Sequence, residues 1–166
     1  TQLIARRVRE LGVYCEVKPF HSGVAAGEDW KAVILSGSPC SVHDAKAPSV
    51  DLTEILAKYP VLGICYGAQL LASYYGGRVV RSQKREYGRA SLQNVNKSTL
   101  LEGIRQGVDV WMSHGDSIEV LPEGWKILAS TPDIPVAAFQ AQDKVYGLQF
   151  HPEVSHTACG TDILRN

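Results

Sequence analysis

The stretch that decides the fold is PVLGICYGAQLLA, residues 60–72. Its apolar start, Val61–Ile64, predicts a short buried strand, and Ala68–Tyr75 predicts a helix. Cys65 occupies the turn between the two elements, with a glycine two residues away on each side. This is the cysteine version of the G-x-S-x-G nucleophile elbow, in which a sharp strand-to-helix turn exposes the nucleophile at the edge of a sheet.

Cys65 is therefore the candidate nucleophile. Gly63 and Gly67 let the backbone turn sharply without steric conflict. The helix that follows directs its unpaired N–H groups and the positive end of its dipole toward the sulfur, which favours the thiolate. The backbone N–H of Tyr66 is placed to donate to an oxyanion. The competing interpretation is a small buried core residue, but the strand before Cys65 and the helix after it favour the nucleophile.

The rest of the chain repeats this alternation of apolar runs and helical stretches. Apolar residues recur at helical spacing from Leu3 to Leu11, and Gly12 is a plausible end of that helix. The further apolar runs are Val13–Val17, Ala32–Leu35, Val108–Met112 and Val145–Phe150, and a second helical stretch is Asp51–Lys58. The pattern predicts an α/β fold, with an open, mostly parallel sheet and helices on both of its faces.

Two segments lie outside the alternation. The polar stretch Arg78–Asn96 predicts a pair of antiparallel strands added to the sheet, and Pro39–Pro48 predicts a long surface loop. There are no repeats or low-complexity segments, so we expect one domain, residues 1–166.

Composition and charge restrict the class of protein. The chain has 17 Lys and Arg against 17 Asp and Glu, which gives no electrostatic signal for nucleic acid or an anionic membrane. No apolar run approaches the ~18 residues of a transmembrane helix, and no signal peptide opens the sequence. We therefore expect a soluble, cytoplasmic protein that binds neither nucleic acid nor membrane.

The four cysteines contain no C-x-x-C pair, so we expect reduced thiols and neither a disulfide framework nor a cysteine-only zinc site. Cys15 lies in a predicted strand and is interpreted as a core residue. Cys40 and Cys159 lie in predicted loops and are expected to be exposed.

A thiol nucleophile needs an imidazole partner, and the imidazole needs an orienting carboxylate. His151 follows the apolar run 145–150, and Pro152 favours extended backbone at His151, so that Glu153 can turn to the same side. His114, with Asp116 nearby, is the competing base, but the proline makes the geometry around His151 more determined. His151 is therefore favoured.

Two further clusters bear on the chemistry. His151, His156 and Cys159 match no standard zinc spacing, so we expect no metal site. The turn at Gly37-Ser38, after the apolar run 32–35, lies at the predicted site edge. Its N–H groups could complete an oxyanion hole with Tyr66, although an ordinary turn explains the sequence equally well.

The motifs GICYGAQ at 63–69 and HPE at 151–153 resemble those of the class I (triad) glutamine amidotransferases. Three further stretches, 1–14, 86–90 and 110–116, and the run from His151 to Asn166 are similar to the amidotransferase domains of GMP synthases. The resemblance covers nearly the whole chain and implies the flavodoxin-like fold of that family.

The resemblance also implies residue roles. Cys65, His151 and Glu153 would be the catalytic triad that hydrolyses L-glutamine to glutamate and ammonia through a thioester. The oxyanion hole would be formed by Tyr66, Gly37 and Ser38, and the substrate would be held by Gln69, Ser113 and Gly115.

It implies a partner as well, a synthetase domain that uses ATP and Mg²⁺ to convert XMP to GMP and through which a homodimer could form. No cofactor is expected in residues 1–166 themselves. The alternatives are a subunit serving an anthranilate, carbamoyl phosphate or CTP synthase, a non-catalytic docking module, and a cysteine peptidase or γ-glutamyl hydrolase.

The sequence departs from the family pattern in three ways. Ser38 stands where a glycine is usual. The strand that normally precedes the first helix is absent, and no pyrophosphatase loop of a synthetase follows. We therefore expect a fragment that lacks the first strand and the synthetase domain.

Overall fold

The computed structural model describes residues 1–22 and 29–166, and for residues 83–86 it describes the backbone only. The helices are α1 (Gln2–Glu10), α2 (Leu52–Lys58), α3 (Tyr66–Tyr74) and α4 (Gly160–Arg165), with a short 3-10 turn at Phe20–Ser22. The strands are β1 (Val33–Leu35), β2 (Val61–Ile64), β3 (Arg78–Ser91), β4 (Asp109–Val120), β5 (Lys126–Ala129), β6 (Ala138–Ala141) and β7 (Val145–Leu148).

The main sheet has five strands in the order β1-β2-β7-β6-β5. Strands β1, β2 and β7 are parallel, with Leu35 opposite Gly63 and Ile64 opposite Leu148, and β6 and β5 continue the sheet in antiparallel orientation. The carboxyl ends of the three parallel strands therefore meet at one edge, where open α/β folds bind ligands. The predicted mostly parallel sheet is confirmed.

Helices cover both faces of this sheet, as predicted. On one face, α2 and α3 pack on Val61, Val145 and Phe139 through buried leucine and alanine side chains. On the other face, Ile4 of α1 packs on Ile64 of β2, and α4 packs beneath β7. The two sets of contacts follow from the alternation of side chains along each strand.

The prediction for the middle of the chain was wrong. Residues 78–91 form one 14-residue strand, β3, and its partner is β4 in a separate two-stranded antiparallel ribbon. The predicted strand Val108–Met112 is the start of β4 and does not join the main sheet. Because β4 continues through polar residues 113–117, His114 lies inside a strand and not at a strand end.

The predicted strand Val13–Val17 was also wrong. Helix α1 ends in a Schellman motif, in which the N–H of Gly12 donates to Arg9 and that of Val13 donates to Val8. The chain then runs without regular structure, and Val13 and Tyr14 are 57% and 77% exposed. Apolar composition alone does not make a strand where none of the described strands is adjacent to pair with it.

The cysteines differ from expectation in three places. Cys15 is half-buried and lies outside the core, because the segment around it is not a strand. Cys159 is buried beside Ile163 at the start of α4, so its predicted exposure was wrong. Cys40 lies in the irregular segment after β1 and is half-buried, so its predicted exposure was wrong as well.

The longest helices in the described part of the chain, α1 and α3, have nine residues, far fewer than the ~20 that cross a bilayer.

Close backbone contacts hold the start of α3 against the sheet. A Cβ on Gly67 would lie 2.2 Å from the carbonyl oxygen of Leu35 in β1, and one on Gly63 would lie 2.6 Å from the backbone nitrogen of Ala68. Both positions need glycine because backbone atoms, which cannot rotate away, fill the space of a side chain. These contacts fix where α3 begins relative to β1 and β2.

We expect Gly67→Ala to lower the free energy of unfolding by about 2–3 kcal/mol, because the methyl group must displace the backbone of β1. Denaturant unfolding measures the change. Gly115→Ala is the matched control, since a Cβ there meets no atom within 4 Å and its backbone is not left-handed. Equal stability of the two variants would contradict the tight packing inferred at Gly67.

Candidate active site

Cys65 lies in a strained turn at the end of β2. Its φ of 54° and ψ of −107° fall in a region that residues other than glycine rarely adopt. The backbone N–H of Cys65 donates to the carbonyl of Leu148 at 2.7 Å, which ties the turn to β7. The side chain is buried, and its sulfur lies 3.7 Å from the carbonyl oxygen of Ser113.

Tyr66 opens α3 directly after the cysteine. In an α-helix the first N–H groups have no acceptor within the helix, so those of Tyr66 and Gly67 are available near the sulfur. The ring of Tyr66 is buried, and its hydroxyl donates to the carbonyl of Pro48 at 2.5 Å. Burial raises the pKa of the Tyr66 hydroxyl, so the hydroxyl is neutral. Its bond to Pro48 anchors the segment 39–48.

His151 and Glu153 form a buried pair beside the cysteine. The ring Nδ1 of His151 and Oε1 of Glu153 are 2.8 Å apart. Burial alone lowers the pKa of His151, but hydrogen bonds with Cys65 and Glu153 outweigh burial and raise it to about 10. At neutral pH the ring is therefore an imidazolium, placed between a sulfur and a carboxylate.

The backbone of the histidine is clamped to β4. Its N–H donates to the carbonyl of Trp111 at 3.0 Å, and the hydroxyl of Thr157 donates to the carbonyl of His151 at 2.6 Å. The same hydroxyl accepts from the N–H of Trp111 at 3.0 Å. Gly160 lies directly beneath, where a Cβ would be 1.9 Å from the carbonyl oxygen of Pro152.

Gly37 and Ser38 lie at the same sheet edge, after β1. A Cβ on Gly37 would lie 3.3 Å from Cε1 of His151 and 3.7 Å from Cβ of Cys65, so this turn borders both groups. Ser38 does not adopt a left-handed φ, and its hydroxyl accepts from the N–H of Cys40 at 3.2 Å. A serine therefore fits this position without backbone strain.

Gln69 takes part in a buried amide network. Its Nε2 donates to the carbonyl of Asp116 at 2.8 Å and to Oε1 of Gln149 at 3.3 Å. Nε2 of Gln149 in turn lies 4.0 Å from the sulfur of Cys65. Sequence reasoning did not single out Gln149, because it lies within an apolar run. Its polarity in that run is the one signal that could have identified it.

The remaining predicted residues come from β4. Ser113 presents its carbonyl to the sulfur of Cys65, whereas Gly115 is exposed. His114, the competing base, is buried and its Nδ1 bonds to the carbonyl of Asp116 at 2.8 Å. Burial lowers the pKa of His114 to about 4, so the ring is neutral at physiological pH.

Sequence reasoning missed the role of the loop after Gly37-Ser38. Within it, the hydroxyl of Ser41 donates to the carboxylate of Asp116, and Nε2 of His43 bonds to the carbonyl of Val79 at 2.8 Å. These bonds attach the loop to the β3–β4 ribbon over the site. They join residues far apart in sequence, so no local pattern could have indicated them.

Within residues 1–22 and 29–166, no group of three or more His, Cys, Asp or Glu side chains converges so as to hold a metal ion.

Comparison with known proteins shows the family of the chain. The family model for glutamine amidotransferase class-I matches residues 1–166, the whole chain. The chain belongs to the class I glutamine amidotransferase family.

The curated relatives include a protein named GMP synthase (glutamine-hydrolyzing) from Bacteroides fragilis, 54% identical over 168 aligned positions that span 100% of this chain and 33% of the relative. A relative of the same name from Syntrophomonas wolfei is 51% identical over 99% of this chain and 33% of its own length. The chain thus spans about a third of the length of these relatives.

Solved structures give the same fold. A Thermoplasma acidophilum protein, described as a candidate component of a GMP synthase, is 30% identical, with a TM-score of 0.81 over 98% of this chain and 83% of that one. A glutamine amidotransferase from Thermotoga maritima is 25% identical, with a TM-score of 0.77 over 92% of this chain and 70% of that one.

We expect Glu153→Gln to lower the pKa of His151 from about 10, because the variant removes a charged partner that favours the imidazolium. The wild-type ring should keep its proton until the pH approaches 10, whereas the variant ring should lose it at lower pH. NMR titration of protein labelled with ¹⁵N-histidine measures the pKa of His151 in the wild-type protein and in the variant, with the His43 signal as an internal control. An unchanged His151 titration would contradict the role of the carboxylate.

Proposed function

We propose that this chain is the glutaminase domain of a GMP synthase. It would hydrolyse L-glutamine to glutamate and ammonia and supply the ammonia to a synthetase that converts XMP to GMP. The observation that supports glutamine hydrolysis best is the position of His151, which contacts Cys65 on one side and Glu153 on the other. The names of the curated relatives support GMP as the product.

In the first half-reaction, the thiolate of Cys65 attacks the side-chain carbonyl carbon of glutamine. The negative charge moves to the carbonyl oxygen, and the N–H of Tyr66 and those of the Gly37-Ser38 turn stabilise it. The intermediate collapses when its carbon–nitrogen bond breaks. His151 gives its proton to the leaving nitrogen, so that ammonia departs and a γ-glutamyl thioester remains on the sulfur.

In the second half-reaction, the neutral His151 takes a proton from water, and the resulting hydroxide attacks the thioester carbon. Glutamate leaves and the thiolate is restored, with the imidazolium again beside it. Glu153 holds Nδ1 of the ring through both steps, which leaves the other ring nitrogen to exchange the proton.

Substrate binding is assigned to Gln69, Ser113 and Gly115. The carboxamide of Gln69 would contact glutamine through its oxygen, since its nitrogen already donates to Asp116 and Gln149. Ser113 and Gly115 would line the site from β4, which passes the sulfur at the carbonyl of Ser113.

The partner in this proposal is a synthetase that uses ATP and Mg²⁺ to adenylate XMP, either in the same chain or as a separate polypeptide. The greater length of the curated relatives supports the first arrangement, and the match to a component of a GMP synthase supports the second. A homodimer would form through the synthetase, in the cytoplasm, and the glutaminase domain itself would need no cofactor.

The test supplies the protein and its synthetase with ATP, Mg²⁺, XMP and glutamine labelled with ¹⁵N in the side-chain amide. We expect ¹⁵N in the 2-amino group of GMP. Cys65→Ala should abolish this transfer but keep GMP synthesis from added ammonia, whereas Cys40→Ala should retain both.

Two results would contradict the proposal in different ways. Labelled ammonia without labelled GMP would indicate a different acceptor, such as that of an anthranilate, carbamoyl phosphate or CTP synthase. No glutamine hydrolysis in the presence of the synthetase would favour a non-catalytic docking module.

A further inference from the structure

Arg7 connects the first helix to the catalytic segment. It lies on α1, and its Nε donates to the backbone carbonyl of Glu153 at 3.1 Å. A second guanidinium nitrogen, Nη1, pairs with Oε2 of Glu10 at 2.9 Å, one turn further along α1. The guanidinium is thereby held by its own helix while it binds the backbone next to the catalytic pair.

The carboxylate of Glu153 depends on the position of its backbone. Its Oε1 bonds to His151 at 2.8 Å, whereas Oε2 is buried and has no hydrogen-bond partner among the described residues. Among the described residues, the bond between Oε1 and His151 is therefore the one hydrogen bond that orients the carboxylate group. The other constraint on the carboxylate is where the main chain of Glu153 lies.

The main chain of this segment is held at two points. Thr157 and Trp111 bind the backbone of His151, and Arg7 binds the backbone carbonyl of Glu153. The first point fixes where the ring is attached, and the second fixes where the carboxylate is attached. Together they set the distance between the two side chains.

We propose that Arg7 is a positioning residue for Glu153 and, through it, for His151. The inference rests on the proposed function of the His151–Glu153 pair. Without the guanidinium, the backbone of Glu153 can shift, the bond to Nδ1 weakens, and the imidazolium is less favoured. The loss appears in the chemical step and not in glutamine binding, because within the described part of the chain Arg7 bonds to Glu10 and Glu153 and not to Gln69, Ser113 or Gly115.

Arg6 provides a matched control. It precedes Arg7 on the same helix and pairs with the same residue, with Nε 2.9 Å from Oε1 of Glu10. Its side chain is 73% exposed, compared with 31% for Arg7. Replacing either arginine removes one positive charge and one ion pair to Glu10, but only the change at Arg7 removes the bond to Glu153.

The experiment compares Arg7→Gln, Arg7→Lys and Arg6→Gln in glutamine hydrolysis, with the synthetase present. We expect kcat of Arg7→Gln to fall about tenfold with KM nearly unchanged, since small misplacements of catalytic groups cost this much or more. Arg7→Lys keeps a charged donor and should recover part of the loss. Arg6→Gln should retain wild-type kcat.

The titration of His151 provides a readout that a purely structural role would not change. The titratable groups around its ring are Cys65, Glu153 and His114. In Arg7→Gln the pKa of His151 should be lower than in Arg6→Gln. In a Glu153→Gln background, removing Arg7 should cause little further loss of kcat, because the two changes act on one interaction.

Equal kcat in Arg7→Gln and Arg6→Gln would overturn the inference. So would a double variant of Arg7→Gln and Glu153→Gln in which the two losses of kcat are additive. If Arg7→Gln does not fold, Arg7→Lys is compared with Arg6→Lys in the same two measurements, kcat and the pKa of His151. Failure of the proposed function is distinguishable, because then the unmodified protein would hydrolyse no glutamine, or Glu153→Gln would hydrolyse it as fast as the unmodified protein does.

Discussion

The structure of the site depends on the close approach of α3 to the ends of β1 and β2. Gly67 lies against the carbonyl of Leu35 at a distance that excludes any side chain, and Gly63 likewise lies too close to the backbone of α3 for a side chain. This contact forces the chain to reverse at Cys65, whose backbone is strained as a result. The strain is held by the bond from Cys65 to Leu148, which also places β7, and the histidine after it, beside the sulfur.

The electrostatics of the site follow from this placement. His151 is buried between a sulfur and a carboxylate, so its charged form is favoured although burial opposes it. His114, buried in the neighbouring ribbon and bonded to a backbone carbonyl, is neutral. Two histidines close together thus differ in charge because the bonds of His151 with Cys65 and Glu153 outweigh its burial, whereas burial of His114 outweighs its interactions with Asp116. An imidazolium can donate a proton to a leaving group, and a neutral ring held by a carbonyl is suited to packing.

The sequence was sufficient where the determining contacts are local. The elbow at Cys65 and the strands on either side of the site are short-range patterns, and the alternation of strands and helices predicted the mostly parallel sheet. The sequence was insufficient to predict the structure where contacts between distant parts of the chain determine it. The predicted strand at 108–112 continues through the polar residues 113–117 as part of β4, because β3 pairs with them. Val13–Val17 is mostly apolar yet mostly exposed. Gln149 and Arg7 meet the site only through contacts that join distant parts of the chain.

The central claim is that the elbow presents Cys65 as a nucleophile toward glutamine. The most direct measurement is mass spectrometry with peptide mapping after treatment with a chloromethyl ketone analogue of glutamine, in the presence of the synthetase. We expect one adduct, on Cys65, that forms at neutral pH and is blocked by excess glutamine. Faster modification of Cys40 or Cys159, or labelling of Cys65 that glutamine does not prevent, would contradict the claim.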